Sequence, residues 1–213
     1  MAMLCLLLVA CGPDGEKIAS SEAKETDGNM TAAVESYTVD TDNSVIGWEG
    51  TKLVGEGHKG SIKIQSGQLT MADGKIVGGK FTIDMATIAN SDLNAEEGAK
   101  LVGHLQSADF FDVATYPTAE FEITEVLPAS ENNSAGNYKV TGNLKMKDAT
   151  RSITIPVTVS TEPKLVKATS PAFVINRTEW GVKYGSQSSI ANLAKDNVIN
   201  DNIGLQLYLV ASK

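Results

Sequence analysis

The stretch NYKVTGNLKMKDATRSITIPVTVS, residues 137–160, decides how this chain folds. Tyr138, Val140, Leu144 and Met146 fall on one face with Gly142, while Lys139, Thr141, Asn143, Lys145 and Lys147 fall on the other. After a turn signal at Lys147-Asp148, Ile153, Ile155, Val157 and Val159 alternate with Ser152, Thr154, Pro156 and Thr158. A period of two places apolar side chains on one side of an extended chain, so this is a pair of half-buried strands joined by a short turn. Pro156 has no N–H to give a ladder, which puts its strand at an edge or a bulge.

The same period spreads outward. Phe81, Ile83 and Met85 alternate after Gly78-Gly79; Ala119, Phe121 and Ile123 alternate with Glu120, Glu122 and Thr124; Leu205, Leu207 and Leu209 close the chain. Strands are predicted near residues 37–41 (a stub), 44–54, 60–72, 76–88, 118–127, 137–147, 151–161, 165–175 and 198–211, about eight in all. Strands with one apolar face each must close into a barrel or pair as a sandwich. One helix is predicted over Leu93 to Gln106, with Ala95, Ala99, Val102 and Leu105 as its stripe and Ser91 or Asn94 as its cap. A shorter helical or irregular segment is expected near Ser189 to Lys195. Aromatic residues make up only 6% of the chain, so the interior is lined mainly by aliphatic side chains. Such a lining suits a tunnel for one slender ligand and suits a filled core equally well.

A net charge of −8 argues against nucleic acid, which is bound by clustered Lys and Arg. Met1 to Ala10, MAMLCLLLVA, is too short to span a bilayer and reads as the apolar region of a signal peptide. Leu8-Val9-Ala10-Cys11-Gly12 has the form of a bacterial lipobox, which makes Cys11 the site of lipid attachment. Several acyl chains at roughly 0.8 kcal/mol per buried CH₂ give stable anchoring. Residues 1–10 are thus expected to be removed, 11–36 to form a lipidated flexible tether of small polar residues, and 37–213 to fold as one domain. Cys5 leaves with the leader and Cys11 is occupied, so no disulfide or cysteine metal site is expected. The expected location is the bacterial cell envelope, lipid-anchored, on the periplasmic or outer-membrane side.

The densest chemistry is HLQSADFFDVATYP, residues 104–117. Two histidines, His58 and His104, without H-x-x-x-H or H-E-x-x-H spacing do not make a metal site, and no cofactor is expected. No G-x-S-x-G elbow or Walker loop occurs, and Asp109 and Asp112 have the spacing of turn caps. The segment reads as a clasp between the helix and the next strand, with Tyr116-Pro117 forcing the chain extended. Arg177, in VINRTEWGVKYG, ends an apolar run beside Trp180. It is read either as a half-buried structural partner of a carboxylate or as a cation that meets a headgroup at a barrel mouth.

Together, YTVDTDNSVIGW, HLQSADFFDVATYPTAEFEITEV, YKVTGNLKMKDATRSITIPVTV, NRTEWGV and VINDNIGLQLYL resemble the YceI-like family of bacterial polyisoprenoid-binding proteins, over residues 37–211. The chain departs from the family pattern at Asn43, Lys52, Leu101-Val102, Trp48 and Trp180. The resemblance implies an all-β, antiparallel, lipocalin-like barrel of about eight strands with one short helix packed at the barrel. It also implies a non-catalytic function: enclosing a long apolar chain, an isoprenoid or a fatty-acid-derived lipid. Trp48, Phe81, Ile83, Phe121, Leu144 and Trp180 are then the candidate lining, Phe110 and Phe111 a plug or gate, and Arg177 a candidate contact. The alternatives are a solid-barrel structural or stress-response module, and an enzyme acting on a lipid headgroup at His104 and Asp109. The partners expected are the lipid and, through acylated Cys11, the membrane; the oligomeric state is open, a homodimer included.

Overall fold

The computed structural model describes residues 12–25, 34–129, 136–186 and 198–213. Twelve strands occur among them: β1 (Glu16–Lys17), β2 (Ser21–Glu22), β3 (Glu35–Val39), β4 (Val45–Lys52), β5 (His58–Ala72), β6 (Lys75–Asn90), β7 (Thr118–Pro128), β8 (Tyr138–Met146), β9 (Ala149–Glu162), β10 (Leu165–Thr169), β11 (Phe173–Asn176) and β12 (Ile199–Ser212). Helix α1 (Ala95–Gln106) lies between β6 and β7, and a 3₁₀ turn, Arg177–Trp180, follows β11.

The sheet closes on itself. β3 and β4 both pair with β5 on one side and β12 on the other, so they act as one bent strand. β10 and β11 lie one after the other along the opposite flank of β12. Antiparallel pairing then runs from β5 through β6, β7, β8, β9 and β10 to β12, giving a ring of eight strand positions, as the sequence predicts. Closure pairs most of the strand edges that make open sheets prone to association, the exception being where β10 and β11 part from β9. At one end, Asp73 (φ 50°) and Gly74 (φ 74°) both take the left-handed conformation that a two-residue hairpin turn between β5 and β6 demands.

Three details differ from the sequence reading. The strand expected over 165–175 is broken after Thr169, because Pro171 has no N–H for the ladder. Ser170 bridges the break: its N–H donates to Leu207 O, and its Oγ accepts from Leu207 N–H at 2.9 Å. Helix α1 begins where Asn94 caps it, accepting from Glu96 and Glu97 N–H. Its buried face, however, runs through Gly98, Leu101 and Leu105, leaving Ala95 and Ala99 exposed. Gly98 faces β6, where a Cβ would meet Asn90 Oδ1 at 3.3 Å. The segment expected near Ser189 to Lys195 lies outside the described residues.

The third difference is the N-terminal segment. Residues 12–25, expected to be part of a free tether, lie against the barrel. β1 runs parallel to β11, and β2 pairs with β9 at Ser152 and Arg151. Ile18 N–H donates to Val174 O, and Asn143 exchanges two hydrogen bonds with the backbone of Lys24. Glu22 meets Arg151, and Ser20 donates to Glu179. β10 covers β9 only from Thr158 to Glu162, which leaves strand edges at β11 and at the start of β9. Backbone donors and acceptors on such edges seek partners whatever the side chains are. Pro156 stands on the part of β9 that neither β2 nor β10 covers, where its missing N–H costs nothing. Residues 1–11, including Cys11, lie outside the described residues.

Candidate functional site

Inward-facing positions of the ring surround a cavity of about 630 Å³, inside the roughly 300–1,000 Å³ of ordinary ligand pockets. Strand alternation supplies most of its wall: Ile46 and Trp48 from β4, Ile62 from β5, Ile83 and Met85 from β6, Ala119 from β7, Leu144 and Met146 from β8, and Ile203 and Leu205 from β12. Leu101, His104 and Leu105 of α1 and the pair Phe110-Phe111 complete it. At the rim are Thr51, Lys52, Glu56, His58, Tyr184 and Ile199, of which Tyr184 is 44% exposed. A second cavity of about 120 Å³ lies deeper in the ring, among Ile64, Leu69, Ile76, Phe81, Phe121, Ile123 and Val140. Four residues, Ile46, Ile83, Leu144 and Leu205, belong to both walls.

Of the candidates read from the sequence, Trp48, Ile83, Phe110, Phe111, Leu144 and Arg177 border the large cavity. Phe81 and Phe121 border the small one, each seated over a glycine: a Cβ on Gly142 would lie 2.4 Å from the Phe121 ring, and one on Gly67 2.6 Å from Phe81. Trp180 borders neither. It is fully buried, and its Nε1–H donates to Leu144 O at 2.8 Å, tying the 3₁₀ turn to β8. Met85, Met146 and Leu205 are read from the sequence only as members of apolar runs and not as candidate lining. Of the helix contributors, Leu105 stands on the predicted stripe and His104 in the dense segment, whereas Leu101 is missed because the predicted stripe runs through Ala95 and Ala99.

The clasp at residues 104–117 is held by backbone groups. Phe111 N–H donates to Leu105 O, Val113 N–H to Gln106 O, and Asp112 N–H to Ser107 O, with Asp112 in the left-handed region at φ 48°. The side chains of Asp109 and Asp112 do not cap the turn as expected. Asp109 is exposed and outside the cavity wall, whereas His104 is on it, packed edge-on against Tyr184 at 4.6 Å and Phe110 at 5.5 Å. The acid–base pair that headgroup chemistry at His104 and Asp109 requires is therefore not assembled.

Arg177 is fully buried at the wall. Its Nε donates to Asn200 O at 3.1 Å, Nη1 to Val182 O at 2.8 Å and Nη2 to Ile199 O at 3.2 Å. Asp201 Oδ1 stands 3.8 Å from Nη2, and the guanidinium lies 5.4 Å from the Phe110 ring centre. Burial pulls this guanidinium below its ordinary pKa and the Asp201 carboxylate opposes the shift. The side chain is fully buried rather than half-buried, and its bonds go to three carbonyls of the chain that borders the cavity, with the carboxylate at the longer distance.

At the rim, His58 Nδ1 lies 3.0 Å from Asp92 Oδ2, while Asp92 Oδ1 accepts from Lys59 N–H and from Asn90 Nδ2. Partial burial pushes the Asp92 carboxyl up, but the bonds from His58, Lys59 and Asn90 outweigh it and hold the group down to about 2. A carboxyl depressed in the fold contributes stability above its unfolded pKa and loses it as pH falls through the folded value. Asp92→Asn is expected to lower stability by about 1–2 kcal/mol at neutral pH. In chemical denaturation the gap from the parent protein should close as pH falls from about 4 to about 2.

The fold and the cavity define a closed antiparallel ring of eight strands around an apolar space. The chain belongs to the YceI-like family, whose YceI-like domain model matches residues 37–211. A UPF0312 protein of Pseudomonas putida strain GB-1 is 29% identical over 135 residues, covering 62% of this chain and 66% of that relative. One of Pseudomonas savastanoi pv. phaseolicola is 34% identical over 94 residues, covering 40% and 47%. The chain thus spans just under two thirds, or less, of the length of these relatives. Among solved structures, BcnA of Burkholderia cenocepacia superposes with a TM-score of 0.64 at 24% identity, covering 82% of this chain and 99% of BcnA. A polyisoprenoid binding domain from Saccharophagus degradans superposes with a TM-score of 0.58 at 16% identity, covering 83% and 97%. These likenesses establish a shared fold.

Proposed function

We propose that this protein is a non-catalytic carrier that encloses a long apolar chain, an isoprenoid or a fatty-acid-derived lipid, with its polar end at the rim of the barrel. The cavity carries this reading: about 630 Å³ walled mainly by Ile, Leu, Met and Phe, with His104 and the carbonyl-bound Arg177 on the wall and Glu49, Lys52, Glu56 and His58 also in the lining. Burial of apolar surface supplies affinity without requiring a specific contact, at roughly 25 cal/mol per Å². A solid-barrel module would have this space filled by side chains. The family match and the polyisoprenoid binding ascribed to the Saccharophagus domain support the same ligand class.

The proposal places the protein in the bacterial envelope, anchored through acylated Cys11. The described part of the N-terminal segment begins at Gly12, which lies against Asn200, whose carbonyl Arg177 holds. Cys11→Ser should move the protein from the membrane pellet to the soluble fraction while ligand binding persists.

Ala119→Phe tests the cavity itself. Ala119 faces Ile83 across the β6–β7 pair and borders the large space, so a ring there fills void without displacing backbone. The variant should stay folded by circular dichroism and bind geranylgeraniol at least about tenfold more weakly in a fluorescent-lipid displacement assay, because roughly a few tens of Å² of apolar contact are lost. Unchanged affinity in a folded variant would place the ligand elsewhere.

A further inference from the structure

The two cavities are stacked along the ring. Both lose their separate walls at Ile46, Ile83, Leu144 and Leu205, which stand on four different strands, β4, β6, β8 and β12. All four are aliphatic, and Ile46, Leu144 and Leu205 keep partial exposure although they point inward. The chamber below has a purely apolar wall and holds about 120 Å³. A void of that size and lining stays dry and readily takes up apolar groups, since water entering it finds no hydrogen-bond partner. Phe81 and Phe121 stand on its wall just inside Ile83 and Leu144, their rings seated over Gly67 and Gly142, while Leu69, Ile76 and Val157 stand farther along the strands.

Resting on the lipid-carrier reading, we infer that these four residues form a waist that measures the ligand. The outer chamber holds the body of the chain, the tail passes the waist into the inner chamber, and the far end of that chamber, at Leu69, Ile76 and Val157, sets the longest chain enclosed. Ile83 is the residue that controls passage. Its neighbour across the strand pair is Ala119, the smallest side chain of the wall, so the space beside Ile83 is free for a tail or for a larger side chain. The neighbour on its other side is Ile64, which borders only the inner chamber, so Ile83 sits at the boundary itself.

The test uses all-trans isoprenoid alcohols of graded length, geraniol, farnesol, geranylgeraniol and solanesol, as competitors in a fluorescent-lipid displacement assay on the full chain. In the parent protein affinity should rise with each isoprene unit and then stop rising. Ile83→Phe closes the waist, so the plateau should come one step earlier, with the longest favoured alcohol weakened by about tenfold or more relative to the shortest in the series. Ile83→Ala opens it, and the plateau should move toward longer chains. Leu205→Phe closes the same waist from β12 and should reproduce the first result should Ile83→Phe not fold. Identical length profiles in the parent and in every folded variant would overturn the waist while leaving the carrier reading intact. Absence of binding by any alcohol to the parent protein would overturn the carrier reading, and the waist with it.

Discussion

Arg177→Leu is expected to destabilise the protein by about 3–5 kcal/mol, the range for breaking a buried charge arrangement by removing one partner. The side chain is fully buried and reaches three carbonyls, at Val182, Asn200 and Ile199, in two stretches of chain that no strand ladder joins. Leucine replaces much of the volume and none of the donors, so those carbonyls lose their partners and Asp201 loses its counter-charge. Arg177→Lys should recover little, because a single ammonium cannot present donors along three directions as the guanidinium fork does. Urea denaturation measures the loss directly. A change below about 1 kcal/mol with weakened ligand binding would favour the headgroup role over the structural one.

Gly60→Ala is the second large effect, about 3 kcal/mol or more, at the upper end of what overpacking costs. Gly60 sits on β5 opposite Trp48 and Asn90, between β4 and β6. An added Cβ would lie 1.8 Å from Ala89 O and 2.7 Å from Trp48 Cζ2, and the first of these is backbone that cannot swing aside. Ala89 O is also the acceptor for Trp48 Nε1–H at 3.1 Å, so the methyl disrupts the bond that fixes this wall residue. The thermal midpoint should fall by many degrees and tryptophan emission should change. Gly103→Ala is the control: nothing lies within 4 Å of a Cβ there, on the exposed side of α1, and it should be neutral or mildly stabilising.

How much of this was legible in the sequence depended on which interactions carried each feature. β8 and β9 could be read almost to the residue because side-chain alternation reports the pleat, although Thr141 and Ser152 on the polar face are buried. The N-terminal segment was read as free because its pairing with β11 and β9 is made by backbone, which leaves no mark on polarity. The phase of α1 was misread because the predicted stripe runs through Ala95 and Ala99, while the buried Gly98 counts for nothing in a hydrophobic pattern. The break at Pro171 had a signal in the proline itself, overridden by the apolar residues on either side. Whether the interior is hollow was not legible at all. The same aliphatic residues fill a narrow ring or line a wide one, and the width follows from strand tilt and stagger.

The Asp92 effect and the Arg177 effect should be separable, since one is lost in acid and the other persists wherever arginine is charged. The distinction matters because both groups stand near the same rim. Loss of ligand with fold retained is expected only from substitutions inside the cavity, such as Ala119→Phe.

The central claim is that the cavity holds an apolar chain, and native mass spectrometry tests it most directly. The full chain is to be purified from bacterial membranes in mild detergent without delipidation, and its mass compared before and after organic extraction. The account predicts a species heavier than the protein by one lipid, with the extract yielding a long-chain isoprenoid or fatty lipid at about one per chain. Ligand-free mass alone in the fresh material, with no uptake of added geranylgeraniol, would contradict it.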